Sequence, residues 1–196
     1  TSDVYKRQIQ GCVDGLTATD FETLKTKKTL AEAEAFVNEH KIKLEAGKYY
    51  TLSNVFRKKD ASTNGDKVIT AEASNSNVNT VWKIEQATGN KFKIYSPNAQ
   101  KYVPAPETSK EPILNETGAE YEINKLADGQ YRLNVGNSNL VIYNTNSLGG
   151  WSSASKGGDG AWYIKPVTSL EVALHTVSTA SYATAYLPFD IASVSG

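Results

Sequence analysis

Gly47-Lys-Tyr-Tyr50-Thr-Leu52, Gly89-Asn-Lys-Phe92-Lys-Ile94 and Gly129-Gln-Tyr131-Arg-Leu133 are three versions of one phrase: a turn glycine, then an aromatic, one intervening residue and an aliphatic. Trp82-Lys-Ile84, Tyr121-Glu-Ile123 and Trp162-Tyr-Ile164 repeat the aromatic-x-aliphatic half of it. The opening aromatics Tyr50, Phe92 and Tyr131 lie 42 and 39 residues apart, and the closing Trp82, Tyr121 and Trp162 lie 39 and 41 apart. Two independent sets of anchors therefore give one period of about 40 residues, three times over. Alternate side chains of a strand point to opposite faces, so aromatic-x-aliphatic puts two large apolar groups on one face and a polar one on the other.

Weaker strand-like runs fall between the anchors, at 67–70, 101–103, 112–114 and 139–143. About four strands per repeat makes about twelve in all. One such unit cannot bury its apolar face alone. Three around a pseudo-threefold axis can close a barrel and remove most open strand edges. Blades of a propeller also recur at this period, but three are too few to close one. The expected class is all-β, and the expected barrel core is Tyr50, Leu52, Trp82, Ile84, Phe92, Ile94, Tyr121, Ile123, Tyr131, Leu133, Trp162 and Ile164.

The repeat resembles a β-trefoil, and within that fold the ricin-B lectin type, over about residues 46–168. The resemblance implies non-catalytic carbohydrate binding by an accessory module of a larger extracellular protein. Such sites pair a planar aromatic, which stacks on a pyranose C–H face, with carboxylate or amide groups that fork onto hydroxyls. In that family an acidic residue follows the first strand of a repeat, an aromatic comes later, and an Asn stands shortly before the closing Trp. The third repeat fits best: Asn134 or Asn137 stands where the acid would be, Trp151 supplies the aromatic, and Asp159 lies three residues before Trp162. The first repeat offers Asn54 and Asn79 but has Ala71 near the aromatic position, and the second offers Ser96, Gly118 and Lys110. A structural role is the competing reading of the third-repeat residues: Trp151 as a wall residue, and Asp159 serving the Gly157-Gly-Asp-Gly160 turn. Two positions before the closing aromatics, where the family has Gln, stand Thr80, Ala119 and Gly160. This favours the alternative, a structural spacer or protein-interaction module without sugar binding. A weaker alternative is a protease inhibitor of the soybean type, with Pro104-Ala-Pro106 as its loop.

Composition narrows the function further. The 196 residues are 39% hydrophobic, with 21 Lys plus Arg against 21 Asp plus Glu. A chain without net charge has no general electrostatic reason to bind nucleic acid or an anionic membrane, and Arg57-Lys58-Lys59 and Lys25-x-Lys27-Lys28 read as solvated faces. No run approaches the roughly 18 apolar residues of a membrane span. A single cysteine, Cys12, rules out an intrachain disulfide, and two histidines, His40 and His175, leave little for zinc or histidine-based catalysis. Asp60-x-Ser62-x-Asn64-Gly65-Asp66 begins like a calcium loop but has Ala71 where the loop needs Glu, so it reads as a polar hairpin turn. Gly149-Gly150 and Gly157-Gly158 lack the Lys and helix of a phosphate loop and read as turn glycines. No Gly-x-Ser-x-Gly elbow occurs. No enzyme activity, metal or cofactor is expected.

Asp3-Val-Tyr-Lys-Arg-Gln8 resembles a translated sequencing adapter, so residues 1–8 are expected to be a non-native tag on a metagenomic fragment. Residues 9–45 are expected to be a helical linker or the end of a preceding domain. Thr29-x-x-Glu32 is a capping box, and Leu30, Ala33, Phe36, Val37 and His40 share one helical face. Residues 169–196 hold two strand-like runs and resemble the start of the β-rich module that follows such trefoils in large secreted or surface proteins of gut bacteria. The implied location is extracellular or at the cell surface. The implied partners are a glycan or polysaccharide and covalently linked neighbouring domains, with no nucleic acid and no membrane insertion.

Overall fold

The computed structural model describes residues 18–40, 44–45, 47–89, 91–127, 129–152 and 158–170. The expectations for residues 1–8 and for the run after Leu170 lie outside them, as do Cys12 and His175.

Two short helices come first, α1 (Ala18–Lys25) and α2 (Leu30–His40). The capping box forms as expected. The Thr29 hydroxyl accepts the Glu32 N–H at 3.2 Å, and the Glu32 carboxylate accepts the N–H groups of Lys28 at 2.9 Å and Thr29 at 3.2 Å. Those two backbone donors hold the Glu32 carboxyl below its ordinary pKa. Leu24, Ala33 and Val37 form a small core with Phe21 and Phe36 against it, while Leu30 is exposed. The Lys125 ammonium donates to the His40 carbonyl at 3.0 Å, which ties the end of α2 to the strand domain. Thr29→Ala removes the cap. It is expected to cost the hairpin about 1 kcal/mol, seen as faster amide exchange across 30–37.

The strand domain runs β1 (Tyr49–Asn54), β2 (Asp60–Asn64), β3 (Lys67–Ala71), β4 (Trp82–Gln86), β5 (Lys91–Ser96), β6 (Lys101–Tyr102), β7 (Tyr121–Ala127), β8 (Gln130–Val135), β9 (Ser138–Tyr143), β10 (Ser147–Ser152) and β11 (Ala161–Pro166). Six of these close a barrel in the order β1-β4-β5-β7-β8-β11 and back to β1. The hairpins β2–β3 and β9–β10 extend from it. In the second repeat β6 has a reduced partner, the bridge between Tyr102 and Asn115.

The register explains the repeated phrase. Within each repeat the opening aromatic faces the closing one: Tyr50 pairs with Trp82, Phe92 with Tyr121, and Tyr131 with Trp162. Between repeats the aliphatics meet: Ile84 with Ile94, Ile123 with Leu133, and Ile164 with Leu52. The barrel interior is thus one aromatic layer, which joins the strands of each repeat, and one aliphatic layer, which joins the repeats. All twelve expected core residues are buried in one cluster. The repeat-opening glycines Gly47, Gly89 and Gly129 sit at φ of +80°, +58° and +72°, the left-handed region a side chain disfavours.

The closing aromatics also reach the hairpin layer. The Trp82 indole donates to the Ala61 carbonyl at 3.0 Å, and the Trp162 indole to the Leu140 carbonyl at 2.8 Å. Tyr121 does the same work with its hydroxyl, which donates to the Pro104 carbonyl at 2.6 Å. Complete burial pushes this phenol far above its ordinary pKa.

Two expectations change. Asp60–Asn64 is not only a turn: Asp60, Ala61, Ser62 and Thr63 are a buried strand, and the turn is confined to Gly65 and Asp66 between β2 and β3. Gly149 and Gly150 are not turn glycines. Both are buried within β10, where segment 106–110 crosses close over the backbone. A Cβ on Gly150 would lie 2.7 Å from the main chain of Pro106, and one on Gly149 would lie 2.7 Å from the Lys110 carbonyl oxygen.

Candidate functional site

The hairpin β9–β10 has two faces. Leu140, Ile142 and Leu148 turn inward to the core. Val141 and Tyr143, on the other face of β9, and Trp151 on β10 line a concavity of about 380 Å³. Asn144 in the hairpin turn and Asp159, just before β11, complete the third repeat's share. The remaining walls come from elsewhere: Arg57 from the β1–β2 turn of the first repeat, and Ser109 from the segment after β6 in the second.

Hydrogen bonds show why these parts meet. Asn54 closes β1 and is buried. Its side-chain oxygen accepts the N–H groups of Phe56 at 3.2 Å and Arg57 at 2.9 Å, an Asx turn that fixes the β1–β2 connection. Its amide donates to the Asp159 carbonyl at 2.7 Å. One buried side chain therefore holds both the Arg57 turn and the Asp159 turn. The Arg57 guanidinium then lies 3.4 Å from the Asp159 carboxylate, with side-chain exposures of 26% and 14%. On the opposite wall, the Ser109 N–H donates to the Gly150 carbonyl at 3.3 Å, the Gly150 N–H to the Glu107 carbonyl at 2.7 Å, and the Ser138 hydroxyl to the Pro106 carbonyl at 2.6 Å. The Asn139 amide holds the Trp151 carbonyl at 3.2 Å.

The residues expected in a third-repeat site separate into two pairs. Trp151 and Asp159 come together on the concavity, Trp151 half-buried and Asp159 paired to Arg57. Asn134 and Asn137 do not line it. Asn134 is buried, and its side chain is used up within the sheet: the amide donates to Glu122 and to the Gly136 carbonyl, and the oxygen accepts from Asn124. Asn137 is exposed in the β8–β9 turn. The first two repeats treat the corresponding strand ends in the same way. Asn54 builds its own turn, and the Ser96 hydroxyl accepts the Ala99 N–H at 3.1 Å.

Arg57 corrects one expectation. In the run Arg57-Lys58-Lys59, Lys58 is exposed and Lys59 pairs with Glu72, but Arg57 is turned to Asp159 and is not part of a solvated face. Its side chain also packs on the Phe56 ring, 4.9 Å from the centroid. Nothing in the period of the repeat signals it, because it enters the site from another repeat.

Among the described residues the concavity offers two aromatic side chains, one cation, one anion, an amide and the hydroxyls of Ser109 and Tyr143. Among the described residues Asp159 is the one carboxylate lining it. Among the described residues no cluster of His, Cys, Asp and Glu is placed to hold a metal ion, and no helix is long and apolar enough to cross a membrane.

No protein-family model matches the sequence, and no curated protein matches it. Solved structures do match. A ricin B-like lectin of Macrolepiota procera in complex with lactose aligns with a TM-score of 0.55 at 18% identity, over 64% of this chain and 99% of that one. The designed threefold-symmetric protein ThreeFoil aligns with a TM-score of 0.51 at 18% identity, over 60% of this chain and 97% of that one. The domain is a β-trefoil. A further match is the GlcNAcα1-4Gal-releasing endo-β-galactosidase of Clostridium perfringens, with a TM-score of 0.52 at 17% identity, over 61% of this chain and 32% of that one. The six-stranded barrel, the three hairpin positions and the Trp82, Tyr121 and Trp162 anchors are the trefoil's pseudo-threefold elements. The concavity breaks that symmetry, since Trp151 and Asp159 have no counterpart pair in the first two repeats.

Proposed function

We propose that this trefoil binds carbohydrate without catalysing a reaction on it, as a lectin-like accessory module of an extracellular or cell-surface multidomain protein. The observation that carries the reading is the meeting of Trp151 and Asp159 on one concavity of the third repeat. Trp151 offers a face for a sugar ring. Asp159, oriented beside Arg57, accepts from hydroxyls, and the Asn144 amide and Ser109 hydroxyl add adaptable contacts. The similar lactose-bound lectin supports the ligand class. The match to about a third of a glycan-releasing enzyme supports an accessory role beside other domains. The linked neighbours and the location rest on the resemblance after residue 169.

A spacer or interaction module would bury Trp151 under an apolar patch that crosses repeats. Trp151 instead lines an open concavity, and the exposed Phe56, Ile113 and Leu126 are distributed over three separate connections and strands. An inhibitor loop at Pro104-Ala-Pro106 would have to project, whereas Pro106 is buried and its carbonyl is held by Ser138.

A glycan array probed with the full chain, with tryptophan emission as a second readout, tests the proposal. Selective binding is expected, and Trp151→Ala is expected to weaken it at least about tenfold, roughly 1.4 kcal/mol, with the thermal midpoint nearly unchanged. Binding that survives Trp151→Ala would remove the site assignment. Silence across plant, mucin and host glycans, from demonstrably folded protein, would leave the spacer reading in its place.

A further inference from the structure

The concavity contains a residue that the third repeat does not supply. Arg57 stands on the first repeat's β1–β2 turn, and the turn is built to deliver it: Asn54 accepts the Arg57 N–H and donates to the Asp159 carbonyl. The Val55 N–H adds a bond to the Ala161 carbonyl at 2.9 Å, on the far side of Asp159. The guanidinium touches Asp159 with one nitrogen at 3.4 Å, a long contact for a charged pair. Its Nε is buried and makes no hydrogen bond among the described residues. This Arg–Asp contact is therefore loose and single, not the two-bonded fork that would use up both groups. Both side chains line the same concavity as Trp151, and one long contact leaves each with hydrogen-bonding capacity that the pair does not use.

We propose that Arg57 is a specificity-determining residue of the carbohydrate site, supplied across the repeat boundary, and that with Asp159 it selects an uncharged sugar presenting two adjacent hydroxyls. This rests on the lectin reading above and deepens it. One hydroxyl donates to the Asp159 carboxylate. Its neighbour accepts from the Arg57 guanidinium. A fixed donor beside a fixed acceptor matches a vicinal diol, since each hydroxyl can take either part. Asp159 also disfavours an anionic sugar, because a ligand carboxylate drawn to Arg57 would be placed against a second carboxylate.

The test uses the full chain and its Arg57→Gln, Arg57→Lys, Asp159→Asn and doubly substituted Arg57→Gln/Asp159→Asn forms. Each is probed on an array that carries neutral, uronic-acid-containing and sialylated glycans, with thermal midpoints measured in parallel. The expected result is binding of neutral glycans, weakened about tenfold or more by Arg57→Gln and also by Arg57→Lys, whose ammonium keeps the charge but not the planar fork. The double form should bind more weakly than Asp159→Asn alone, because Arg57 touches the ligand itself. A double form no weaker than Asp159→Asn would show that Arg57 only holds Asp159 in place and would overturn the proposal. So would unchanged binding by Arg57→Gln, or preferential binding of acidic glycans. In each of these cases the wild-type chain still binds sugar, so the lectin reading survives. Absence of binding by the wild-type chain removes both.

Discussion

Trp162→Ala is expected to cost about 3–5 kcal/mol of folding stability, a large share of the roughly 5–15 kcal/mol by which an ordinary domain is stable. The indole is fully buried, faces Tyr131 across the β8–β11 ladder, and donates to the Leu140 carbonyl at 2.8 Å. Removal therefore opens a cavity in the aromatic layer and also leaves a buried carbonyl of β9 without its donor. Urea denaturation followed by circular dichroism measures the loss. Trp162→Phe separates the two contributions, because it keeps most of the volume and loses the hydrogen bond. It is expected to cost about 1–3 kcal/mol. The pseudo-threefold makes a sharper claim. Trp82→Ala should cost about as much as Trp162→Ala, since Trp82 stands at the same ladder position, is also fully buried, and donates to Ala61. A Trp82→Ala chain as stable as wild type would mean that the aromatic layer is not a continuous core.

The same aromatic layer explains why so much of the fold is legible in the sequence. Each barrel strand carries its two inward residues as a contiguous aromatic-x-aliphatic triplet, and the triplets recur at one period because each closes against its own repeat and then against the next. Periodicity reports what repeats. The hairpin strands repeat less faithfully. Asp60–Asn64 is a strand, buried over its first four residues, made of Asp, Ala, Ser, Thr and Asn, a composition that reads as a turn. Within it the Thr63 hydroxyl donates to the Asn79 side-chain oxygen at 3.3 Å. Ser147–Ser152 has a Gly-Gly at its centre and also reads as a turn, because the chain segment that requires those glycines lies some forty residues earlier in sequence.

The site divides along the same line. Trp151 and Asp159 are legible because both belong to the third repeat and Asp159 is counted from Trp162. Asn134 and Asn137 are read instead from their place after the repeat's first strand, yet the Asn134 side chain is used for turn and sheet bonds, and of the four residues Trp151 and Asp159 line the concavity. Arg57 and Ser109 cannot be counted from any third-repeat anchor. Their places depend on how three repeats meet around an axis, which no spacing within one repeat records. Asn54 reads in sequence as a sugar-contact candidate. Its actual work is to bind two turns together, and the residues it positions are the ones on the concavity.

Gly150→Ala should reveal how firmly the second repeat is strapped to that site. The substitution adds one methyl group to β10, and the added carbon would stand 2.7 Å from the Pro106 carbonyl carbon and oxygen and 2.7 Å from the Ser138 hydroxyl. None of these distances is tolerated, and two of the three atoms are main chain, which a rotamer change cannot move. The strap must therefore lift. Its bonds at Gly150–Glu107, Ser109–Gly150 and Ser138–Pro106 are then strained together. The expected cost is about 1–3 kcal/mol from overpacking, with up to about 1 kcal/mol more for each hydrogen bond that fails to re-form. A thermal melt measures it. The Ser138→Gly/Gly150→Ala chain decides the cause. Removing the hydroxyl clears the one movable neighbour but also takes away the Ser138–Pro106 bond, and the clash with the Pro106 main chain remains, so stability should not return. A full return would place the clash at Ser138 instead. Because Trp151 follows Gly150 directly and Ser109 hangs on the Gly150 carbonyl, lifting the strap widens the concavity between them. Gly150→Ala is accordingly expected to weaken the proposed glycan binding even at temperatures where the domain stays folded, while Thr29→Ala, which acts on the helical hairpin, leaves that binding unchanged.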